Sequence, residues 1–172
     1  MQINNFSVWK KLDIPVVKQE KISELLEAYG IIHSDYFINN LVENNPSQKQ
    51  GLIKISYEQL GLDFQKETIK TLFEIADKSG LKKCSYATAV FLAINIAIEN
   101  FGKVEKKSNK VFVISIQNPR IVDGCPRIPF LQLRNHCLSI GHLGCGCPEI
   151  PLYALHNPYK ESLENVEWIF ML

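Results

Sequence analysis

The sequence predicts an α+β fold in which an N-terminal helical layer packs on a mainly antiparallel C-terminal sheet. In the first hundred residues, apolar side chains recur with the 3.6-residue period of helices, whereas after Lys110 they form short β-branched runs. A lysine-rich connector, residues 103–110, separates the two patterns. The 172 residues are therefore expected to form a single domain, 1–172, with a mainly helical part, 1–102, and a mainly strand part, 110–172.

The helical part begins with two segments whose ends are marked by turn and capping residues. Residues 19–29 carry apolar side chains at i, i+3, i+4 and i+7, which predicts an amphipathic helix that stops at Gly30. Ser34 is a preferred N-cap residue and predicts a second helix through Leu41. Residues 52–55 are predicted as a short strand that follows these helices.

Three further helical segments are predicted. Ser56 and Gln59 have the spacing of a capping box, which predicts a single helical turn. Residues 65–78 predict an amphipathic helix. Ser85 is the predicted N-cap of a helix that reaches Phe101, and because that helix is apolar on nearly every side we expect it at the centre of the core.

Two polar residues interrupt this apolar helix. Asn95 and Glu99 are four residues apart and therefore share one surface of the helix. A polar strip lining a pocket is one interpretation. Exposure at the rim of the core is the favoured one.

The strand part contains two segments with clear strand character. Residues 111–116 are apolar and β-branched apart from Ser115, which is typical of a strand covered on both faces. Residues 166–172 predict a final strand, whose apolar character indicates that it packs inside a sheet.

A hairpin is predicted between these two segments. Residues 130–133 and 136–140 are separated by Arg134 and Asn135, and a two-residue loop there pairs Leu131 with Leu138. In this register the apolar side chains share one face of the hairpin. A shift by one residue would mix the faces.

Five cysteines and four histidines are the main candidates for chemistry. His142, Cys145 and Cys147 form the most compact group, and Cys125 is the leading fourth ligand. Together they predict a structural zinc site of the Cys3His type. The spacing differs from the paired Cys-x2–4-Cys of standard zinc modules, so packing of the cysteines as small apolar side chains is the main alternative.

Two further interpretations use the same cysteines. Cys145 and Cys147 are an oxidisable pair, whose short spacing would strain a disulfide and make it labile. Cys125 or Cys137, with a histidine base, has the residue types of a thiol nucleophile, although no known local signature surrounds either residue.

Composition narrows the class of function. The net charge of +1 gives no reason to expect nucleic acid as a partner. No signal-peptide pattern and no apolar run of membrane-spanning length is present, so we expect a cytoplasmic protein without membrane association. The expected function is that of a small, non-catalytic binding or regulatory protein that recognises a protein partner, of immunity type or similar. A zinc-stabilised interaction domain and a thiol-dependent hydrolase or transferase are the alternatives.

Overall fold

A computed structural model describes residues 6–34, 38, 48–63, 65–101, 109–116, 120–122, 125–134, 137–144, 152 and 166–172. Within the strands, only the backbone is described for residues 109, 120–122, 125–126 and 143–144. The helices are α1 (Ile22–Ala28), α2 (Ile69–Lys78) and α3 (Tyr86–Asn100), and 3-10 turns lie at Gln19–Lys21 and Glu58–Leu60. The strands are β1 (Lys10–Ile14), β2 (Gln48–Ile55), β3 (Asn109–Ile114), β4 (Arg120–Val122), β5 (Cys125–Arg134), β6 (Cys137–Gly144) and β7 (Val166–Met171).

The described strands form one seven-stranded sheet. Its order is β1-β2-β7-β3-β5, and both β4 and β6 pair with β5. Five of the pairings are antiparallel, whereas β3 and β7 run parallel. The predicted α+β class is therefore confirmed, but the sheet is mixed. It also includes β1 and β2 from the part of the chain predicted to be mainly helical.

Strand β1 was missed because its apolar pattern is very short. Leu12 and Ile14 are buried, whereas Lys11, which precedes Leu12, and Asp13, which lies between the two, are exposed. Two alternating apolar positions are too few to distinguish a strand from a loop. The neighbouring β2 is also longer than the predicted segment 52–55, because its polar N-terminal half pairs along β1.

Helices cover both faces of the sheet. In β7, Trp168 and Phe170 pack in one core with Leu72 of α2, whereas Ile169 packs in a second core with Leu92 of α3. Helix α1 lies on the α3 side. Since successive strand residues point to opposite faces, two covered faces require the continuous apolar runs of β3 and β7. The strands predicted there are confirmed, whereas the helices are divided between two layers.

Capping residues determine where the longer helices begin. Ser85 Oγ accepts from the Thr88 N–H at 3.3 Å, and Thr88 Oγ1 accepts from the Ser85 N–H at 3.2 Å, so α3 starts where predicted. Helix α2 starts about a turn later than predicted, because the Thr68 hydroxyl caps it by accepting from the Thr71 N–H. Gly80, with a φ of 76°, follows the end of α2.

The smaller predicted turns are also present where the chain is described. Gln59 Oε1 accepts from the Ser56 N–H at 2.9 Å, and Ser56 Oγ accepts from the Gln59 N–H at 3.4 Å, which is the predicted capping box. The Ile38 N–H donates to the Ser34 carbonyl with helical spacing. The rest of the helix predicted through Leu41, and most of the connector 103–110, lie outside the described residues.

Helix α3 occupies the core as predicted. Its Ala89, Leu92 and Ala93 are fully buried between the sheet and α1. No helix formed by the described residues combines the length and apolarity needed to cross a membrane.

The β5–β6 hairpin forms in a different register from the one predicted. Leu131 pairs with Ile140, not with Leu138, and Arg134 pairs with Cys137. The shift is two residues, so the apolar side chains still share one face, as predicted. The observed register places Phe130 opposite Gly141, where the ring has room to lie across the glycine.

Candidate functional site

The predicted zinc ligands fall at one end of the β5–β6 hairpin, where the structure describes only part of the chain. Cys145 and Cys147 lie outside the described residues, and only the backbone of Cys125 is described. Of the four predicted ligands, His142 is the one whose side chain is described. The zinc site therefore stays a prediction.

His142 belongs to β6, and its ring faces the start of α3. It pairs with Pro129 of β5, and its ring meets the Tyr86 ring edge-to-face at a centroid distance of 6.0 Å. The Tyr86 hydroxyl donates to the carbonyl oxygen of Arg127 at 3.1 Å. The first residue of α3 is thus fixed against both strands of the hairpin.

The register decides how close the predicted ligands can come. His142 pairs with Pro129 of β5, and Pro129 is four residues from Cys125. At the rise of a strand, the Cα atoms of Cys125 and Pro129 are therefore about 13 Å apart. Gly144, which precedes Cys145 in sequence, pairs with Arg127, only two positions from Cys125. A shared ion would therefore require the His142 ring to reach along the strand, since zinc binds its ligand atoms at about 2.0–2.3 Å. Among the described residues, no group of three or more His, Cys, Asp or Glu side chains could hold a metal ion.

Two described cysteines have opposite environments. Cys84 is buried in the α3-side core, where burial raises the pKa of its thiol, and its Sγ lies 3.7 Å from the carbonyl oxygen of Ile169. Such a thiol is unreactive at neutral pH. Cys137 is exposed at the start of β6 and pairs with Arg134 across the hairpin. Among the described residues, no hydrogen bond joins Cys137 to a histidine base.

A serine, a histidine and a glutamate meet beside α1, but not in the arrangement of a catalytic triad. Ser23 Oγ lies 3.4 Å and Glu27 Oε1 lies 3.7 Å from the same nitrogen, Nε2 of His33. In a triad the nucleophile and the carboxylate contact different ring nitrogens. The other nitrogen, Nδ1, is buried and has no hydrogen bond to any described residue, so the cluster fixes the ring without activating Ser23.

A polar network joins β1 to the C-terminal half of α3. Lys10 Nζ donates to Asn95 Oδ1 at 2.7 Å and to Glu99 Oε1 at 2.6 Å. The favoured interpretation of these two helix residues, simple exposure at the rim of the core, is therefore incomplete. They pair with a cation from the edge strand, which the sequence pattern of the helix alone does not identify.

Trp9 lies beside this network. Its ring stacks on Phe112 at a centroid distance of 5.7 Å, and Nζ atoms of Lys10 and Lys54 lie 5.2 and 5.4 Å from its centre. These distances allow cation–π attraction. Lys54 is itself paired with Glu167 at 2.8 Å.

Exposed apolar side chains adjoin the Lys10 network at the end of α3. Ile98 is 52% exposed and Phe101 is 91% exposed, and both lie within a turn of Glu99. Single exposed aromatic residues are common on protein surfaces. Phe101 differs because it lies next to the exposed Ile98 and near the ion pair of Lys10 and Glu99. We define the Trp9–Phe101 surface as the following set: Trp9, Lys10, Asn95, Ile98, Glu99 and Phe101.

The Trp9–Phe101 surface was missed at the level of sequence, although one signal was present. Asn95 and Glu99 share a face of an otherwise apolar helix, and such a face requires polar partners from another element. Lys10 supplies such a partner from 85 residues away.

In comparisons with protein-family models, curated proteins and solved structures, the chain gives no match.

Proposed function

We propose that this protein is a non-catalytic, cytoplasmic binding protein of regulatory or immunity type, and that it recognises a protein partner through the Trp9–Phe101 surface. The supporting observation is the exposure of Phe101 and Ile98 beside a fixed polar network. Aromatic residues are enriched at the centres of protein interfaces, and charged residues surround them at the rim. Truncation of such an aromatic residue commonly removes a large part of the binding free energy.

The polar network within this surface favours binding because it fixes side chains in advance. Lys10 contacts two acceptors on α3, and its ammonium group also lies near Trp9. Long charged side chains otherwise lose conformational entropy when a partner orders them. A surface that is already ordered therefore loses less free energy on association.

The test is affinity capture with the wild-type protein and the Phe101→Ala variant. We expect the wild type to retain a stoichiometric partner, and the variant to bind it about 30-fold or more weakly, as is typical of a hot-spot residue. Because Phe101 is almost fully exposed, its truncation should change the free energy of unfolding by less than about 0.5 kcal/mol.

The matched control is Ile32→Ala, which removes another exposed apolar side chain, 59% exposed, from the opposite edge of the sheet. This variant should bind like the wild type. Equal binding by the wild type and Phe101→Ala would contradict the proposal, as would the absence of any stoichiometric partner.

A second candidate function, a zinc-stabilised interaction domain, is favoured by the register of the hairpin. Because Gly144 pairs with Arg127, the chain positions that lead to Cys125 and to Cys145 lie at the same end of β5 and β6. Two cysteines at such positions would offer thiolates, which are typical zinc ligands, and the prediction adds Cys147 and His142 to them.

Metal analysis of protein prepared without a histidine tag tests this candidate. We expect about one zinc ion per chain in the wild type and in Cys137→Ser, and a loss of zinc in Cys125→Ser. A zinc content well below one per chain in the wild type would rule the candidate out.

A further inference from the structure

The starting observation is a buried cationic nitrogen. Arg127 Nε is buried and has no hydrogen-bond partner among the residues that the structure describes. Buried polar atoms are nearly always hydrogen-bonded, and a charged donor without an acceptor is especially unfavourable. Arg127 as a whole is only partly buried, and a bound anion would supply the acceptor that its Nε lacks among the described residues.

The strands beside Arg127 do not supply that acceptor at their paired positions. On one edge β4 pairs Arg120 directly with Arg127, and on the other edge β6 pairs Gly144 with it. Neither residue type has an acceptor in its side chain.

Two further polar side chains are close to Arg127. Tyr86 donates its hydroxyl to the Arg127 carbonyl oxygen, and the same ring contacts the imidazole of His142. Imidazole nitrogen donates to oxyanions, and the planar guanidinium fork binds carboxylate and phosphate oxygens in pairs. Arginine and histidine are therefore chemically suited to an oxyanion, and Tyr86 links them through its bond to the Arg127 carbonyl oxygen and its ring contact with His142.

We propose that the side chains of Arg127 and His142, positioned by Tyr86, form a binding site for an oxyanion group, a carboxylate or a phosphate, at the start of α3. This site is separate from the Trp9–Phe101 surface, since the length of α3 places about 20 Å between Tyr86 and Phe101. The proposal does not depend on the proposed function, and either can fail alone.

The first test is the melting temperature of the protein in increasing inorganic phosphate, at an ionic strength kept constant with sodium chloride. The wild type should show a saturable rise of about 5–10 °C at a hundredfold excess over Kd. Arg127→Gln should weaken phosphate binding about 10- to 100-fold. The matched control, Arg134→Gln, makes the same change in the same strand and should bind like the wild type. An equal response of both variants would overturn the proposal.

The second test uses the wild type and does not depend on the folding of a variant. In NMR titrations with phosphate and, separately, with acetate, the ring resonances of His142 should shift in a saturable way while those of His33 stay in place. A response to phosphate alone identifies a phosphate group, and a response to acetate alone identifies a carboxylate. The proposal is wrong if neither anion moves the His142 resonances, or if both histidines move together.

Discussion

Tyr57 illustrates how burial alone changes the chemistry of a side chain. It lies in the α2-side core, where its ring meets Trp168 edge-to-face at 6.3 Å. Burial raises the pKa of Tyr57 to about 12 from the ordinary value of 10.0, and the neighbouring Trp168 opposes this rise only in part. The phenol is therefore neutral in the folded protein at any physiological pH.

This pKa predicts a loss of stability in alkaline solution. Above pH 10 the unfolded chain releases the Tyr57 proton, while the folded protein retains it up to about pH 12. The contribution of Tyr57 to the free energy of unfolding is thus fully present below pH 10. Between pH 10 and about pH 12 it falls by about 1.4 kcal/mol per pH unit. Urea unfolding at several pH values should show this slope in the wild type. In Tyr57→Phe, the slope of the unfolding free energy against pH should be smaller by about 1.4 kcal/mol per pH unit. In the control Tyr29→Phe, which alters an exposed tyrosine, the slope should be the same as in the wild type.

The Thr88 hydroxyl makes two hydrogen bonds that stabilise the start of α3. It accepts from the Ser85 N–H in the capping box and donates to Gln50 Oε1 of β2 at 2.9 Å. Both Thr88 and Gln50 are buried. The capping role was predictable in part from Ser85, whereas the bond to Gln50 joins residues 38 positions apart and has no sequence signature.

We expect Thr88→Val to destabilise the protein by about 2–3 kcal/mol, because it removes a cap interaction and leaves the buried Gln50 amide without its donor. The control is Thr71→Val, at the equivalent position of α2, where the hydroxyl contacts the hydroxyl of Thr68 at 3.1 Å. That variant should lose less than about 1 kcal/mol. Equal losses in chemical denaturation would show that the Gln50 bond contributes nothing.

At the scale of elements, the β5–β6 hairpin separates what a sequence can specify from what it cannot. Alternation of apolar and polar residues determines which face each side chain occupies, and this was predicted correctly. Alternation is unchanged by a shift of two residues, so it cannot choose between pairing Leu131 with Leu138 or with Ile140. The size of Phe130 distinguishes the two, because its ring requires Gly141 opposite it.

Gly141 should therefore be sensitive to a single added methyl group. A Cβ atom there would lie 3.0 Å from Cε1 of Phe130 and would force the ring aside. We expect Gly141→Ala to cost about 1–3 kcal/mol of unfolding free energy, as overpacked sites usually do. Gly51→Ala is the control, since its Cβ would meet only the exposed Val8, at 3.4 Å. A neutral Gly141→Ala variant would contradict this account of the register.

The Lys10 network has a similar limit of predictability. The helix that carries Asn95 and Glu99 was predicted with its correct start and its buried position. Its partner strand β1 was not, because β1 offers only Leu12 and Ile14 as apolar positions. Side chains that meet only through tertiary pairing leave no local pattern in the sequence.

On the scale of the whole molecule, the two faces of the sheet explain the difference between the predicted and the observed layers. A sheet with one covered face shows alternating strands, whereas β3 and β7 are apolar in succession and need cover on both sides. That signal was present in residues 111–116, where a strand covered on both faces was predicted. Two covered faces require the helices to divide between two layers, whereas a single helical layer was predicted.

The two described thiols provide a measure of the stability of the sheet as a whole. Cys84 is buried between α3 and the sheet, while Cys137 is exposed. We expect iodoacetamide to modify Cys137 readily and Cys84 at least about 1000-fold more slowly, since Cys84 reacts only after unfolding. Peptide mapping by mass spectrometry measures both rates. Rates within tenfold of each other would mean that the α3-side core opens locally.

The position of β7 also has a consequence for the order in which the fold assembles. It is the strand that joins the β1–β2 pair to β3, β5 and their neighbours, and it pairs Met171 with Leu52, far away in sequence. Closing so long a loop has a high entropic cost before any contact is gained, whereas β5 and β6 meet across two residues. We therefore expect the β5–β6 hairpin to form early and the insertion of β7 to be the late, rate-limiting step of folding.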